Sequence, residues 1–89
     1  MNLQLTNMQT RDVEALLHPY TNAAAHRQVG PHVIETGKGV YVYDEHGREY
    51  IEGMAGLWCA GLGFGDKELA DAVAEQVHKL PYYHLFAGR

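Results

Sequence analysis

The stretch His32–Glu52, HVIETGKGVYVYDEHGREYIE, decides the fold. His32–Thr36 (HVIET) reads as a strand and Gly37-Lys38-Gly39 as a turn. Val40–Tyr43 then alternates β-branched and aromatic residues, as a strand does. Asp44–Gly47 is a second turn in which Gly47 can take positive φ, and Arg48–Glu52 (REYIE) is the returning strand. Together they predict a three-stranded antiparallel meander, with Tyr41, Tyr43 and Tyr50 available for cross-strand pairs.

The meander runs into Gly53–Gly65, GMAGLWCAGLGFG, which holds the only tryptophan and the only cysteine and carries no charge. It is too rich in glycine for a helix or strand interior and too apolar for an ordinary solvated loop. Gly61-Leu-Gly-Phe-Gly65 precedes a helix, where backbone N–H groups can hold a phosphate. Its spacing is GxGxG, however, with neither the GxGxxG nor the GK[ST] pattern of phosphate loops. Asp66–Leu80 is the clearest helix of the chain. Asp66 is its N-cap, Glu68 lies in the first turn, and Leu69, Val73, Val77 and Leu80 form an apolar face. His78 and Lys79 lie in the last turn, and Pro81 is the stop.

On the other side of the meander, Thr10 can cap a short helix over Arg11–His18. Val13, Leu16 and Leu17 form its narrow apolar stripe and Pro19 ends it. Tyr20–Gly30 shows no period and reads as an irregular connection. The fold class is therefore an α+β fragment: a short N-terminal helix, a three-stranded meander, a glycine-rich loop and an amphipathic helix, with residues 1–89 as one partial domain.

With 89 residues, any core is thin. A hydrophobic content of 46 % and a charged content of 20 % argue against wholesale disorder. The net charge of −4 and the seven scattered Lys and Arg residues disfavour a nucleic-acid partner. The opening MNLQLTNMQTRD lacks the basic and apolar regions of a signal peptide, and no apolar run approaches a membrane span. The expectation is a cytoplasmic chain with no membrane partner. Because it stops directly after the aromatic run LPYYHLF, a piece of a longer protein is expected.

Cys59 alone supports neither a disulfide nor a cysteine metal site. The six histidines, His18, His26, His32, His46, His78 and His84, are spread singly without HxH or HxxxH pairs, so no metal site is expected. Trp58 suits either core packing or a pocket. The glycines around it favour a large side chain aimed from an irregular loop.

Several motifs occur in a specific order: HPYTN at His18–Asn22, GPHVIE at Gly30–Glu35 and GKGVYVYD at Gly37–Asp44. YIEGMAGLW at Tyr50–Trp58, the glycines of 61–65 and LPYYH at Leu80–His84 follow. The ordered set, from about Leu17 to Arg89, resembles the N-terminal segment of class III, or omega, aminotransferases. It is most similar to the subgroup acting on omega-amino acids or transferring from amines to pyruvate. The resemblance implies part of a fold-type I homodimer that uses pyridoxal 5'-phosphate, in a chain of more than about four hundred residues. It implies transfer of an amino group from an amine or omega-amino acid to a keto acid such as pyruvate. It also implies that Leu57 and Trp58 line the substrate pocket with Tyr20. Phe86, Ala87 and Arg89 would match positions at the dimer interface and pocket mouth. Ala87 departs from the aromatic residue common there, which would enlarge the pocket.

The cofactor lysine and phosphate cup of that family match nothing here, and Lys38, Lys67 and Lys79 match no catalytic lysine. The resemblance therefore implies no cofactor-binding or catalytic residue in this segment, which alone is expected to be inactive and to bind no pyridoxal phosphate. Its partners would be the remainder of the enzyme and a second protomer. A non-catalytic fragment or interaction module, and an unrelated small α+β binding domain, are the alternatives.

Overall fold

The computed structural model describes residues 4–89. Residues 1–3, which open the stretch read for a leader, lie outside the described residues. The elements run α1 (Asn7–Ala15), α2 (Ala23–Val29), β1 (Ile34–Lys38), β2 (Tyr41–Asp44), β3 (Glu49–Ile51), α3 (Ala55–Trp58), α4 (Lys67–Lys79) and a terminal 3-10 turn (Phe86–Gly88). The strands form one antiparallel sheet in the order β1-β2-β3, the expected meander. The backbone groups into two compact units. One runs to Glu35 and takes in Tyr43–Glu49; the other comprises Thr36–Val42 and Tyr50–Arg89.

In the first unit, α1 starts earlier than expected because Thr6, not Thr10, caps it. Thr6 Oγ1 accepts from Gln9 N (3.1 Å) while Gln9 Oε1 accepts from Thr6 N (2.9 Å), a reciprocal capping box. Thr10 falls inside the helix, where its hydroxyl has no free N-terminal amide to cap. The helix also ends early. Leu16 turns extended, so 16–18 are not helical and Pro19 is not the direct stop. Leaving the helix lets His18 swing back to Asp12, with Nε2 2.8 Å from Oδ1. Thr6 Oγ1 donates to Glu45 Oε1 (2.8 Å), and Gln9 Nε2 donates to the Pro31 carbonyl (2.9 Å).

The span read as irregular contains α2. Asn22 Oδ1 caps it by accepting from Ala25 N (3.1 Å), and Gly30 ends it at φ 73°. Its AAAHRQV sequence lacks apolar periodicity, but alanine propensity and two terminal signals suffice.

Asp44 is the one fully buried polar residue among those described, and no apolar side chain among them is fully buried. Its Oδ1 accepts from the backbone N–H groups of His46 and Arg48, both at 2.9 Å, and its Oδ2 accepts from Arg48 Nε at 2.8 Å. One carboxylate thus organises the β2–β3 turn, with Gly47 at φ 79°, as expected. Tyr43 Oη, a neighbour on β2, donates to Glu49 Oε2 at 2.9 Å.

In the second unit, β1 runs two residues beyond the predicted strand and absorbs Gly37-Lys38; the link is Gly39–Val40, with Gly39 at φ 62°. The reason is tertiary. A β-carbon on Gly37 would lie 2.6 Å from Phe64 Cβ, so the glycine serves close approach rather than a turn. Gly39 and Phe64 pair as an antiparallel bridge, exchanging two N–H···O bonds of 2.8 Å. The α4 helix matches expectation: Asp66 Oδ1 accepts from Leu69 N (2.8 Å), and helical residues end at Lys79. Among the described residues no helix is long and apolar enough to cross a membrane.

Two outcomes are expected. Asp44→Ala, which leaves two amides and a guanidinium without their acceptor, should cost about 2–3 kcal/mol in urea unfolding and speed amide exchange at His46 and Arg48. Ala55, at φ 48°, should respond to glycine in the opposite sense from Ala72 inside α4. Ala72→Gly should cost about 1 kcal/mol. Ala55→Gly should be stabilising by roughly 0.5 kcal/mol, since relief of a left-handed backbone outweighs the added unfolded-state entropy. Equal losses at both positions would contradict this.

Candidate functional site

The glycine-rich stretch builds a left-handed turn. Ala55, Gly56, Leu57 and Trp58 all have positive φ, at 48°, 61°, 64° and 70°. Trp58 N–H donates to the Met54 carbonyl and Cys59 N–H to that of Ala55, both at 2.9 Å. L-residues avoid this conformation because Cβ crowds the following carbonyl, at a cost of about 1–2 kcal/mol per residue. The surroundings hold it in place. A β-carbon on Gly56 would lie 3.6 Å from Phe64 Cε1, so the Phe64 ring sits against the turn. Gly63 and Gly65, at φ 87° and 76°, pass so near β1 that β-carbons there would lie 3.0 Å from the Gly39 carbonyl oxygen and 2.8 Å from that of Gly37. These glycines of the GxGxG run are thus spent on close packing of backbone on backbone.

The turn presents Leu57 and Trp58 outward, Trp58 being 88 % exposed. Further along, Phe86 and Ala87 lie in the 3-10 turn, which Arg89 closes; Ala87 is again left-handed, at φ 57°. His84 supports this turn. Its Nδ1 accepts from the Phe86 N–H (3.2 Å), and its ring lies against Tyr83 (centroids 4.5 Å) and Phe86 (5.3 Å). Tyr20 belongs to the first unit, is fully exposed and also has positive φ, 51°. The expected site residues therefore fall into a Leu57–Trp58 pair, a Phe86–Ala87–Arg89 turn and Tyr20. Sequence reasoning missed Ala55, whose backbone strain is invisible in composition, and His84. The spacing of His84 two residues before Phe86 was the only signal for a side-chain acceptor to a local amide.

A second cluster lies in the first unit. Asp12 Oδ1 is 2.8 Å from His18 Nε2 and 3.0 Å from His26 Nε2. Burial acts to raise the Asp12 carboxyl pKa. Hydrogen bonds and electrostatic attraction from the two imidazoles overcome it, so the group titrates below the ordinary aspartate value. The histidines that sequence spacing treats as single thus meet at Asp12, His18 from the link after α1 and His26 from α2.

The described residues do not fit a covalently held aldehyde cofactor. An imine-forming lysine needs a desolvated amine in a dry pocket. Lys67 and Lys79 are exposed on α4 and ion-paired with Asp71 and Glu75, and Lys38 is exposed at the end of β1. No chemical step can be routed through these groups.

Comparison with known proteins agrees with the geometry. The model of the class-III aminotransferase family matches residues 22–87. The chain is 40 % identical to a putrescine–pyruvate aminotransferase of Pseudomonas aeruginosa, over 97 % of this chain and 20 % of that protein. It is 47 % identical to gamma-aminobutyrate transaminase 1, mitochondrial, of Oryza sativa subsp. indica, over 83 % of this chain and 14 % of that protein. A crystal structure of an omega transaminase from Pseudomonas jessenii in complex with PMP superposes with a TM-score of 0.86 at 49 % identity, over 94 % of this chain and 18 % of that one. The chain spans about a fifth or less of the length of these relatives. The family model covers most of the chain and these relatives are 40 % identical to it or more, and the chain belongs to the class-III aminotransferase family.

Proposed function

We propose that this chain is the N-terminal part of an omega-type aminotransferase, and that Tyr20, Leu57, Trp58, Phe86, Ala87 and Arg89 wall its substrate pocket. The whole enzyme would transfer an amino group from an amine or omega-amino acid to a keto acid such as pyruvate. Pyridoxal phosphate would be held by groups outside this segment, and a second protomer would cover the 3-10 turn.

One observation carries the reading. The non-glycine residues at positive φ among those described are Tyr20, Ala55, Leu57, Trp58 and Ala87. Four of these are the pocket positions named by resemblance, and Ala55 opens the turn that carries Leu57 and Trp58. Strained backbone persists where surroundings over-determine it, and it concentrates at binding and catalytic sites. Two further facts support the reading. Tyr20, Leu57, Trp58 and Phe86 are large, apolar and exposed, as side chains lining a pocket completed by other parts of an enzyme would be. A similar thermostable omega transaminase, 47 % identical to this chain, carries a tryptophan-to-glycine replacement engineered for asymmetric synthesis of enantiopure bulky amines.

The segment's contribution is binding and exclusion. Leu57 and the Trp58 indole bound the space for the non-reacting part of the amine, Phe86 narrows the mouth, and the methyl of Ala87 leaves room beside it. Arg89 offers a cation to a carboxylate of the keto acid or omega-amino acid.

In an enzyme carrying this segment, Trp58→Ala should change the kcat/KM ratio between a bulky and a small amine by roughly 10- to 200-fold, about 1–3 kcal/mol of discrimination. Cofactor affinity should be nearly unchanged. A constant ratio with loss of cofactor would make Trp58 a structural residue and sink the pocket assignment. The 89-residue chain by itself should form no borohydride-stable adduct with stoichiometric pyridoxal phosphate. Mass spectrometry showing modification of Lys38, Lys67 or Lys79 would contradict that.

A further inference from the structure

The Asp12, His18 and His26 cluster takes no part in the proposed pocket. Asp12 comes from α1, His18 from the extended link before Pro19, and His26 from α2. All three are half-buried, with side chains 15 %, 34 % and 12 % exposed. Both imidazoles aim Nε2 at the same carboxylate oxygen. The rings are 4.6 Å apart at 51°, and one ligand atom from each residue lies within 4.8 Å of the others.

We propose that Asp12 Oδ1, His18 Nε2 and His26 Nε2 form a facial site for a divalent first-row transition metal ion. The donor set decides the class of ion: two imidazoles with one carboxylate suit these metals, whereas calcium and magnesium favour all-oxygen shells. The separations bear on the geometry. With ligands about 2.1 Å from an ion, neighbours at right angles are about 3.0 Å apart and tetrahedral neighbours about 3.4 Å apart. The 2.8 and 3.0 Å contacts from Asp12 Oδ1 are hydrogen bonds that already hold two of the three ligand pairs near the right-angle spacing.

Open coordination positions need water. A cavity of about 70 Å³ beside the cluster, walled by His18 and His26 with Val13, Leu17, Thr21 and Arg27, has room for it. An ion here would fasten α1 to α2 and hold the link that carries Tyr20.

The test is titration of the tag-free 89-residue chain with Co²⁺ and Ni²⁺, followed by calorimetry and histidine-resolved NMR. The expected result is one ion per chain, with the strongest paramagnetic broadening by Co²⁺ at His18 and His26. Asp12→Asn and His26→Gln should each weaken binding by at least about tenfold, while His78→Gln should not. Because the NMR readout uses the unaltered chain, it stands even if a variant fails to fold. No binding at tenfold molar excess of ion, or broadening centred on other histidines, would overturn the proposal. So would undiminished affinity in a folded Asp12→Asn.

Discussion

Phe64 and the glycines around it form the constraint on which the second unit depends. Two 2.8 Å backbone bonds join Phe64 to Gly39, and this is possible only because Gly37, Gly63 and Gly65 carry no β-carbon where backbone meets backbone. The pairing anchors the loop at both of its tasks. On one side the Phe64 ring lies against Gly56 and supports the left-handed turn of Leu57 and Trp58. On the other, the chain proceeds through Gly65 to Asp66, which caps α4. A segment that looks like a flexible glycine-rich loop is therefore held by hydrogen bonds and steric necessity.

The first unit is organised by polar groups. Thr6 closes a capping box and donates to Glu45, Asp44 collects two amides and a guanidinium, and Asp12 gathers two imidazoles. With no fully buried apolar side chain among the described residues, such contacts matter more than they would beneath a large hydrophobic core. Each is also directional. They set which way α1 enters and leaves and where the β2–β3 turn reverses, details that non-directional apolar burial would leave loose.

The strained residues bear on how a small segment would wall the proposed pocket. Leu57, Trp58 and Ala87 project from backbone that ordinary helix or strand geometry does not supply, so their direction is set by the turn rather than by side-chain rotamer alone. Such a turn persists only where neighbouring contacts over-determine it. The Phe64 packing meets that condition for Leu57 and Trp58, and the His84 Nδ1 bond to the Phe86 amide does so for the terminal turn.

The sequence by itself determined the elements whose signals are local: the meander with Gly47 in its turn, the Asp66-capped helix, and the ordered motifs that name the family. Alternation, capping chemistry and turn residues act over a few positions, so one chain is enough to read them. The tertiary structure decided what depends on partners distant in sequence. Position 37 must be glycine because Phe64 leaves no room for a β-carbon, and His18 reaches Asp12 only because the chain leaves α1 at Leu16. α2 was legible only in its Asn22 and Gly30 termini, since no apolar stripe marks it. The meeting of Asp12, His18 and His26, and the left-handed run from Ala55 to Trp58, leave no periodic trace. Spacing along the chain reports neighbours on one element, whereas convergence and backbone strain are set by contacts between elements.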